Sequence, residues 1–134
     1  MQTILQILVG VVACATFIAV ARRAGVKGEL RLYAAGLFIA ALIYAGFVAR
    51  DATPRWLVTE LAGLVVFTLV ALAGLKISGW ILAAGWAAHA LWDLLLHKLV
   101  YAAFVPDWYP LVCLAFDLLL AIYIAVRIKK GAFT

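Results

Sequence analysis

Hydrophobic residues fall into five long blocks along this chain, separated by short polar punctuation. The first runs from Ile4 to Ala21 and stops at Arg22-Arg23, after which Gly25, Lys27, Gly28, Glu29 and Arg31 form a polar connector. The second covers Leu32 to Ala49 and is closed by Arg50-Asp51; Pro54, which lacks an amide donor and restrains its neighbour, breaks the chain there. The third runs from Trp56 to Leu75, and Lys76-Ile77-Ser78-Gly79 turns it back. The fourth, from Trp80 to Val105, ends at Pro106-Asp107, and the fifth, from Tyr109 to Val126, gives way to Arg127, Lys129 and Lys130. Each block approaches or exceeds the ~20 residues that span a bilayer as a helix, and all are far longer than the ~10 residues of a barrel strand. Most lack the polar face that a helix in water must show. Backbone groups in lipid must be satisfied within the protein. The pattern therefore predicts an all-α fold: a single domain over residues 1–134, an integral membrane bundle of five transmembrane helices.

Composition agrees with the pattern. The chain is 69% hydrophobic and 13% charged, with a mean hydropathy of +1.19, whereas soluble domains are about half apolar and a quarter charged. The net charge of +5 sits at the ends of the apolar blocks, with no basic groove interleaved with stacking aromatics, so a nucleic-acid partner is not expected. The Lys/Arg bias reads instead as topology. Arg22, Arg23, Lys27, Arg31 and Lys76 share a side with Arg127, Lys129 and Lys130, while Arg50 and Arg55 oppose them beside Asp51 and Asp107. This puts the N-terminus outside and the C-terminus in the cytoplasm, with a bacterial cytoplasmic membrane as the expected location. The first block lacks a basic n-region and continues past any cleavage point, so it is expected to remain as a helix. Trp56, Trp108, Tyr109 and Tyr101 fall near the outer boundary as an aromatic belt, and Lys98 is placed to snorkel toward it.

One block departs from this apolar plan. GWAAHALWDLLLHKLVYAAF carries His89, Asp93 and His97 at four-residue spacing, together with Trp92 and Lys98. Ionisable groups in hydrocarbon are costly, and normally face a bundle interior, a cavity or one another. At 100° per residue the three lie at about 0°, 40° and 80°, on one narrow face. The next block adds Tyr109, Cys113 and Asp117 at the same spacing, and the third adds Glu60 near its outer end. Counting helical rise inward from Pro106 puts Asp93 ~20 Å deep and His97 ~13 Å; counting from Trp108 puts Asp117 ~14 Å deep, level with His97. The polar groups then form a funnel that opens outward, with Glu60 at its mouth.

The pattern points to a site without naming a reaction. A carboxylate one turn from an imidazole orients it and raises its basicity, and a buried carboxyl can serve as the acid. His89 and Asp93 form the expected proton-transfer pair, with Asp117, His97 and Glu60 as acid and orienting partners. Trp86, Trp92, Tyr101, Tyr109 and Cys113 would line the substrate pocket, where aromatic faces can stabilise a developing cation. This chemistry suits an isomerase, cyclase or hydrolase acting on a lipid or isoprenoid. His and carboxylate donors also suit zinc or iron, but positions eight residues apart lie ~12 Å apart along a helix and cannot both reach one ion. One adjacent pair, Asp93 with His97 or His89 with Asp93, completed by Asp117 and Glu60, makes the ligand set; Asp93, His97 and Asp117 are the first choice. A carrier, or a metal- or ligand-binding subunit of a membrane complex, would use the same groups without catalysis. A purely structural role would leave them as interhelical hydrogen-bonding partners. Membrane lipids, a hydrophobic small molecule and a second copy of the chain are the expected partners. Cys14 and Cys113, each within a predicted span, read singly as small buried apolar residues.

The segments GWAAHALWDLLLH and VPDWYPLVCLAFDLLLAIY resemble a family of small bacterial membrane proteins of unknown function, a resemblance that extends over essentially the whole chain. His89 and Asp93 are also similar to the His and Glu one turn apart in the emopamil-binding (EXPERA) sterol isomerase group, with Asp in place of Glu. That likeness implies only a shared chemical theme of buried acids and a histidine within a short helical bundle.

Overall fold

In the computed structural model, which describes residues 1–51, 53–100 and 102–133, the chain is all-helical. Its elements are α1 (Gln2–Arg22), α2 (Gly25–Asp51), α3 (Pro54–Lys76), α4 (Gly79–Trp92), a π-helical continuation of α4 (Asp93–Leu99) and α5 (Tyr109–Lys129). Five helical stretches are long and apolar enough to cross a membrane, the fourth being Gly79–Leu99. Local chemistry sets several boundaries. Pro54 occupies the first turn of α3, where a missing N–H costs nothing. Ser78 caps α4 by accepting a 3.3 Å hydrogen bond from the Trp80 amide.

Each helix packs on the next in sequence, and α5 returns against α1, so the bundle closes as a ring. Short connections make consecutive helices antiparallel. Within the ring α4 also reaches α2, and its span is the most deeply buried of the five. Close approach on its two sides depends on missing side chains. A Cβ on Gly85 would lie 2.5 Å from Val70 Cγ1 of α3 and 2.9 Å from Leu37 Cδ2 of α2. A Cβ on Gly63 of α3 would lie 2.8 Å from the Trp92 ring. Close packing of this kind, with interhelical hydrogen bonds, is what holds helices together wherever the surroundings are hydrocarbon.

Two predicted boundaries are corrected. The polar connector before Leu32 is helical, because α2 begins at Gly25; its backbone is satisfied within the helix, and the turn from α1 narrows to Arg23 and Ala24. Glu29, read as a connector residue, is buried there. It accepts hydrogen bonds from the Tyr33 hydroxyl (3.0 Å), the Tyr123 hydroxyl (3.0 Å) and Arg127 Nη2 (2.9 Å). These bonds tie α2 to α5 at the basic end of the bundle, although the two helix backbones do not pack directly. The fourth helix stops at Leu99 rather than Val105, and the residues described between Leu99 and Tyr109 form turns. Its last stretch is wound as a π-helix, shown by the bond from the Val100 amide to the Leu95 carbonyl five residues back (3.2 Å).

Candidate functional site

The earlier stop of the fourth helix resets the depths of its polar groups. Counted from Leu99, at ~1.5 Å per residue, His97 lies ~3 Å, Asp93 ~9 Å and His89 ~15 Å inside the helix end. Asp117 lies ~12 Å inside α5, counted from Tyr109. Asp117 thus falls between Asp93 and His89 in depth, well away from His97, and the contacts follow this register. His89 Nδ1 and Asp117 Oδ2 are hydrogen-bonded at 2.7 Å, and His97 Nε2 and Glu60 Oε1 at 2.7 Å. Asp93 stands between the two pairs. Its Oδ2 is 3.7 Å from His89 Nδ1 and its Oδ1 is 3.5 Å from His97 Nδ1.

The five groups form one continuous line, Glu60–His97–Asp93–His89–Asp117, drawn from α3, α4 with its π-helical continuation, and α5. All five side chains are buried. The π-helical winding contributes to this line. It places more residues in each turn than an α-helix, so a four-residue step returns more nearly to the same face. His97 is thereby not carried the further 40° around the helix that an α-helical step would give.

Asp93 is the least satisfied member. It has no exposed surface, and neither carboxylate oxygen has a hydrogen-bond partner among the described residues. His97 Nδ1, which faces it, is likewise unpartnered. Buried polar atoms are nearly always paired, since leaving one unpaired costs ~1–3 kcal/mol and more for a charged group. Asp93 thus has an imidazole within 4 Å of each oxygen but no hydrogen bond from either, which leaves room for a further partner.

Aromatic rings wall the line. Tyr44 of α2 stacks on His97 with ring centres 3.9 Å apart and planes 11° from parallel, and its buried hydroxyl has no partner among the described residues. Phe67 of α3 meets His89 edge-on at 4.8 Å, and Trp86 lies at 6.5 Å from the same imidazole. Tyr44 could not be singled out by sequence, because no polar periodicity in the second block distinguishes it from the tyrosines that only fill space. Glu29 had a usable signal, a tyrosine four residues later on the same helical face.

Two cavities lie at the ends of this line. One, of ≈370 Å³, is lined by Arg55, Trp56, Thr59, Leu96 and Val100, next to Glu60 and His97. The other is an apolar cleft of ≈320 Å³ between α2 and α5, with Phe17 of α1 at one side. Gly36, Ile39, Ala40 and Ile43 form its α2 wall, and Tyr109, Val112, Cys113 and Phe116 its α5 wall. Trp86 and Asp117 lie at its inner surface. Toward the basic end, two turns beyond Gly36 and Phe116, the Glu29 cluster ties α2 to α5. At the other end, the Tyr109 ring meets Tyr44 at 5.5 Å and Phe47 at 5.1 Å.

Of the residues expected to contact a substrate, Trp86, Tyr109 and Cys113 line this cleft. Trp92 does not: its ring turns to α3, over Gly63 and edge-on to Phe67 at 5.8 Å. Tyr101 lies outside the described residues. Among possible metal donors, the atoms that converge within 4.8 Å of one another belong to His89, Asp93 and Asp117. His97 instead directs Nε2 to Glu60 and only Nδ1 toward Asp93.

No curated protein and no solved structure matches this chain. A family model does match, over residues 1–130, and by that match the chain belongs to DUF6010, a family of unknown function.

Proposed function

We propose that this protein is an integral membrane enzyme of five spans that performs acid/base chemistry on a hydrophobic substrate held in the α2–α5 cleft. The observation that carries this reading is the hydrogen-bonded His89–Asp117 pair, buried in the bundle with its carboxyl group at the inner surface of an apolar cavity. A lipid or isoprenoid resting along Ile39, Ile43 and Val112 would present a double bond or polar end to that pair. In an isomerisation, the pair delivers a proton to one end of the double bond and takes one from the allylic carbon at its other end, so the double bond moves by one position and the proton count is restored. The aromatic surfaces of Trp86, Tyr109 and Phe116 suit the cationic character that develops in between. Trp86 is held in place by a 3.2 Å hydrogen bond from its indole N–H to the Tyr33 carbonyl.

The basic residues Arg22, Arg23, Lys27, Lys76, Arg127, Lys129 and Lys130 gather at one end of the ring, which supports a cytoplasmic C-terminus and an outer N-terminus. The Glu60–His97 end of the polar line would then lie nearer the outer face.

The test is isotopic and works on a mixture of lipids, whichever of them is the substrate. Purified protein is incubated in D2O with lipid extracted from membranes that carry it, and each lipid class is weighed by mass spectrometry. Carbon-bound deuterium should appear in one class with the wild-type chain. It should fall about 10²–10⁴-fold with His89→Ala or Asp117→Asn, the usual contribution of a positioned acid or base. The proposal fails if no class gains deuterium, or if the two variants exchange as fast as the wild type.

A further inference from the structure

We propose that His89 Nδ1, Asp93 Oδ2 and Asp117 Oδ2 bind one divalent metal ion of the zinc class, whose remaining coordination position faces the α2–α5 cleft. This deepens the acid/base reading and rests on it for the chemical use of the ion: with His89 and Asp117 engaged as ligands, a water held in the open position would carry the proton that the pair otherwise shares. The binding claim stands on geometry of its own. Ligand atoms ~2.0–2.2 Å from a tetrahedral ion lie ~3.4 Å apart from one another. His89 Nδ1 and Asp93 Oδ2 are already 3.7 Å apart, and all three groups offer donors within 4.8 Å of each other. The 2.7 Å hydrogen bond between His89 and Asp117 must open by roughly 0.7 Å as the ion replaces the shared proton, and the two carboxylates, within 4.8 Å, close onto it.

The state of Asp93 also points to a ligand. Its carboxylate has no exposed surface and no hydrogen-bond partner among the described residues, yet its Oδ2 lies 3.7 Å from His89 Nδ1 and the group offers a donor within 4.8 Å of Asp117. A cation there satisfies the orphaned oxygen and balances two carboxylates in an apolar interior, where an isolated charge is otherwise expensive. One imidazole and two carboxylates form a nitrogen–oxygen donor set suited to zinc, and three protein ligands with an open position are the arrangement of catalytic zinc sites.

The rest of the line then has a role. His97 Nδ1 faces the other oxygen of Asp93, and Glu60 holds His97 through Nε2. This is a support that fixes a metal-bound carboxylate from behind, and changing such groups typically weakens metal binding 10–100-fold. His97 is thus a positioning residue, not a ligand.

The experiment uses the full chain purified in detergent, stripped with chelator and titrated with zinc or with cobalt(II). Wild-type protein should take up one ion per chain, and the cobalt form should show the visible bands of a four-coordinate site. Asp93→Asn and Asp117→Asn should abolish uptake, whereas His97→Ala should keep the stoichiometry with 10–100-fold weaker binding. His89→Cys guards against variants that fail to fold, because a thiolate in the ligand position adds a sulfur-to-cobalt charge-transfer band. Stoichiometric uptake that survives both Asp variants, a His89→Cys protein without that band, or absence of stoichiometric uptake by the wild type would each overturn the proposal. Deuterium exchange that continues undiminished in stripped protein would refute the ion's role while leaving the acid/base reading intact. Metal uptake without exchange in any lipid would do the reverse.

Discussion

Replacing Gly36 with leucine separates the cleft from the polar line, because Gly36 touches none of the ionisable groups. A Cβ at this position would lie 3.1 Å from Trp86 Cζ2 and 3.2 Å from Phe17 Cζ, short of the 3.5–4.0 Å of ordinary carbon contact. An alanine therefore asks both rings to move by roughly 0.3–0.8 Å. Its strain is partly offset by the ~0.5–1 kcal/mol that alanine gains over glycine within a helix. Leucine adds three further carbons, which have nowhere to go except the ≈320 Å³ cleft itself. Overpacking of this kind costs about 1–3 kcal/mol, which a folded bundle can absorb.

The effect on substrate should be larger than the effect on stability. A lipid leaving the bilayer for a protein cleft exchanges one apolar environment for another and gains little hydrophobic free energy, so its binding depends on fit. We expect Gly36→Leu to lower kcat/KM for deuterium exchange at least tenfold, equal to about 1.4 kcal/mol of transition-state binding. Gly36→Ala should lie between it and the wild type. Thermal unfolding in detergent, followed by intrinsic fluorescence, verifies that the variants remain folded. A folded Gly36→Leu protein with wild-type exchange would show that the substrate does not use this cleft.

Arg127→Ala should destabilise the bundle by about 3 kcal/mol, because it leaves the buried Glu29 carboxylate with tyrosine hydroxyls alone. A loss below about 1 kcal/mol in denaturant titration would mean that Glu29 is already relieved by water. Trp92→Ala should cost about 3 kcal/mol by emptying the space over Gly63, and Gly63→Leu in the same chain should restore part of it. Failure of the second change to compensate would argue against that ring as the filler between α3 and α4. For topology, with Cys14 and Cys113 replaced by alanine, a cysteine at Asp107 should react with an impermeant thiol reagent in intact cells. One at Lys130 should react only after permeabilisation, and the opposite pattern would invert the orientation.

The site was legible in the sequence to an uneven degree. His89, Asp93, His97, Asp117 and Glu60 stood out because each is an ionisable residue inside an apolar run, where cost alone makes it conspicuous. Which of them touch was not legible. The expected level of Asp117 with His97 failed because a hydrophobic run does not reveal where its helix stops, and Ala102, Phe104 and Val105 are apolar without being helical. Glu29 was misplaced for the converse reason: a polar stretch flanked by glycines can still be helical when its acid is buried against tyrosines and an arginine. Tyr44 and Trp92 illustrate a third gap. Aromatic residues suit a core, a cleft or an interface equally well, and only the positions of neighbouring helices decide among them.

The order of apolar blocks and charges was enough to determine an all-α fold with five helices long and apolar enough to cross a membrane, because length and hydropathy are local quantities read within one helix. It also indicated that His89 and Asp93 share one face, since that follows from the α-helical period; the placing of His97 depends on the π-helical winding of Asp93–Leu99. Tertiary structure decided that these residues form a single line through three helices, with His89 paired to Asp117 and His97 to Glu60. It also decided that Asp93 is left unpartnered between them and that an apolar cleft meets the line at Asp117. Those outcomes depend on where a helix ends, how its last turn is wound and how far apart α2 and α5 stand. Each is settled by contacts between residues far apart in the chain, which no local pattern encodes.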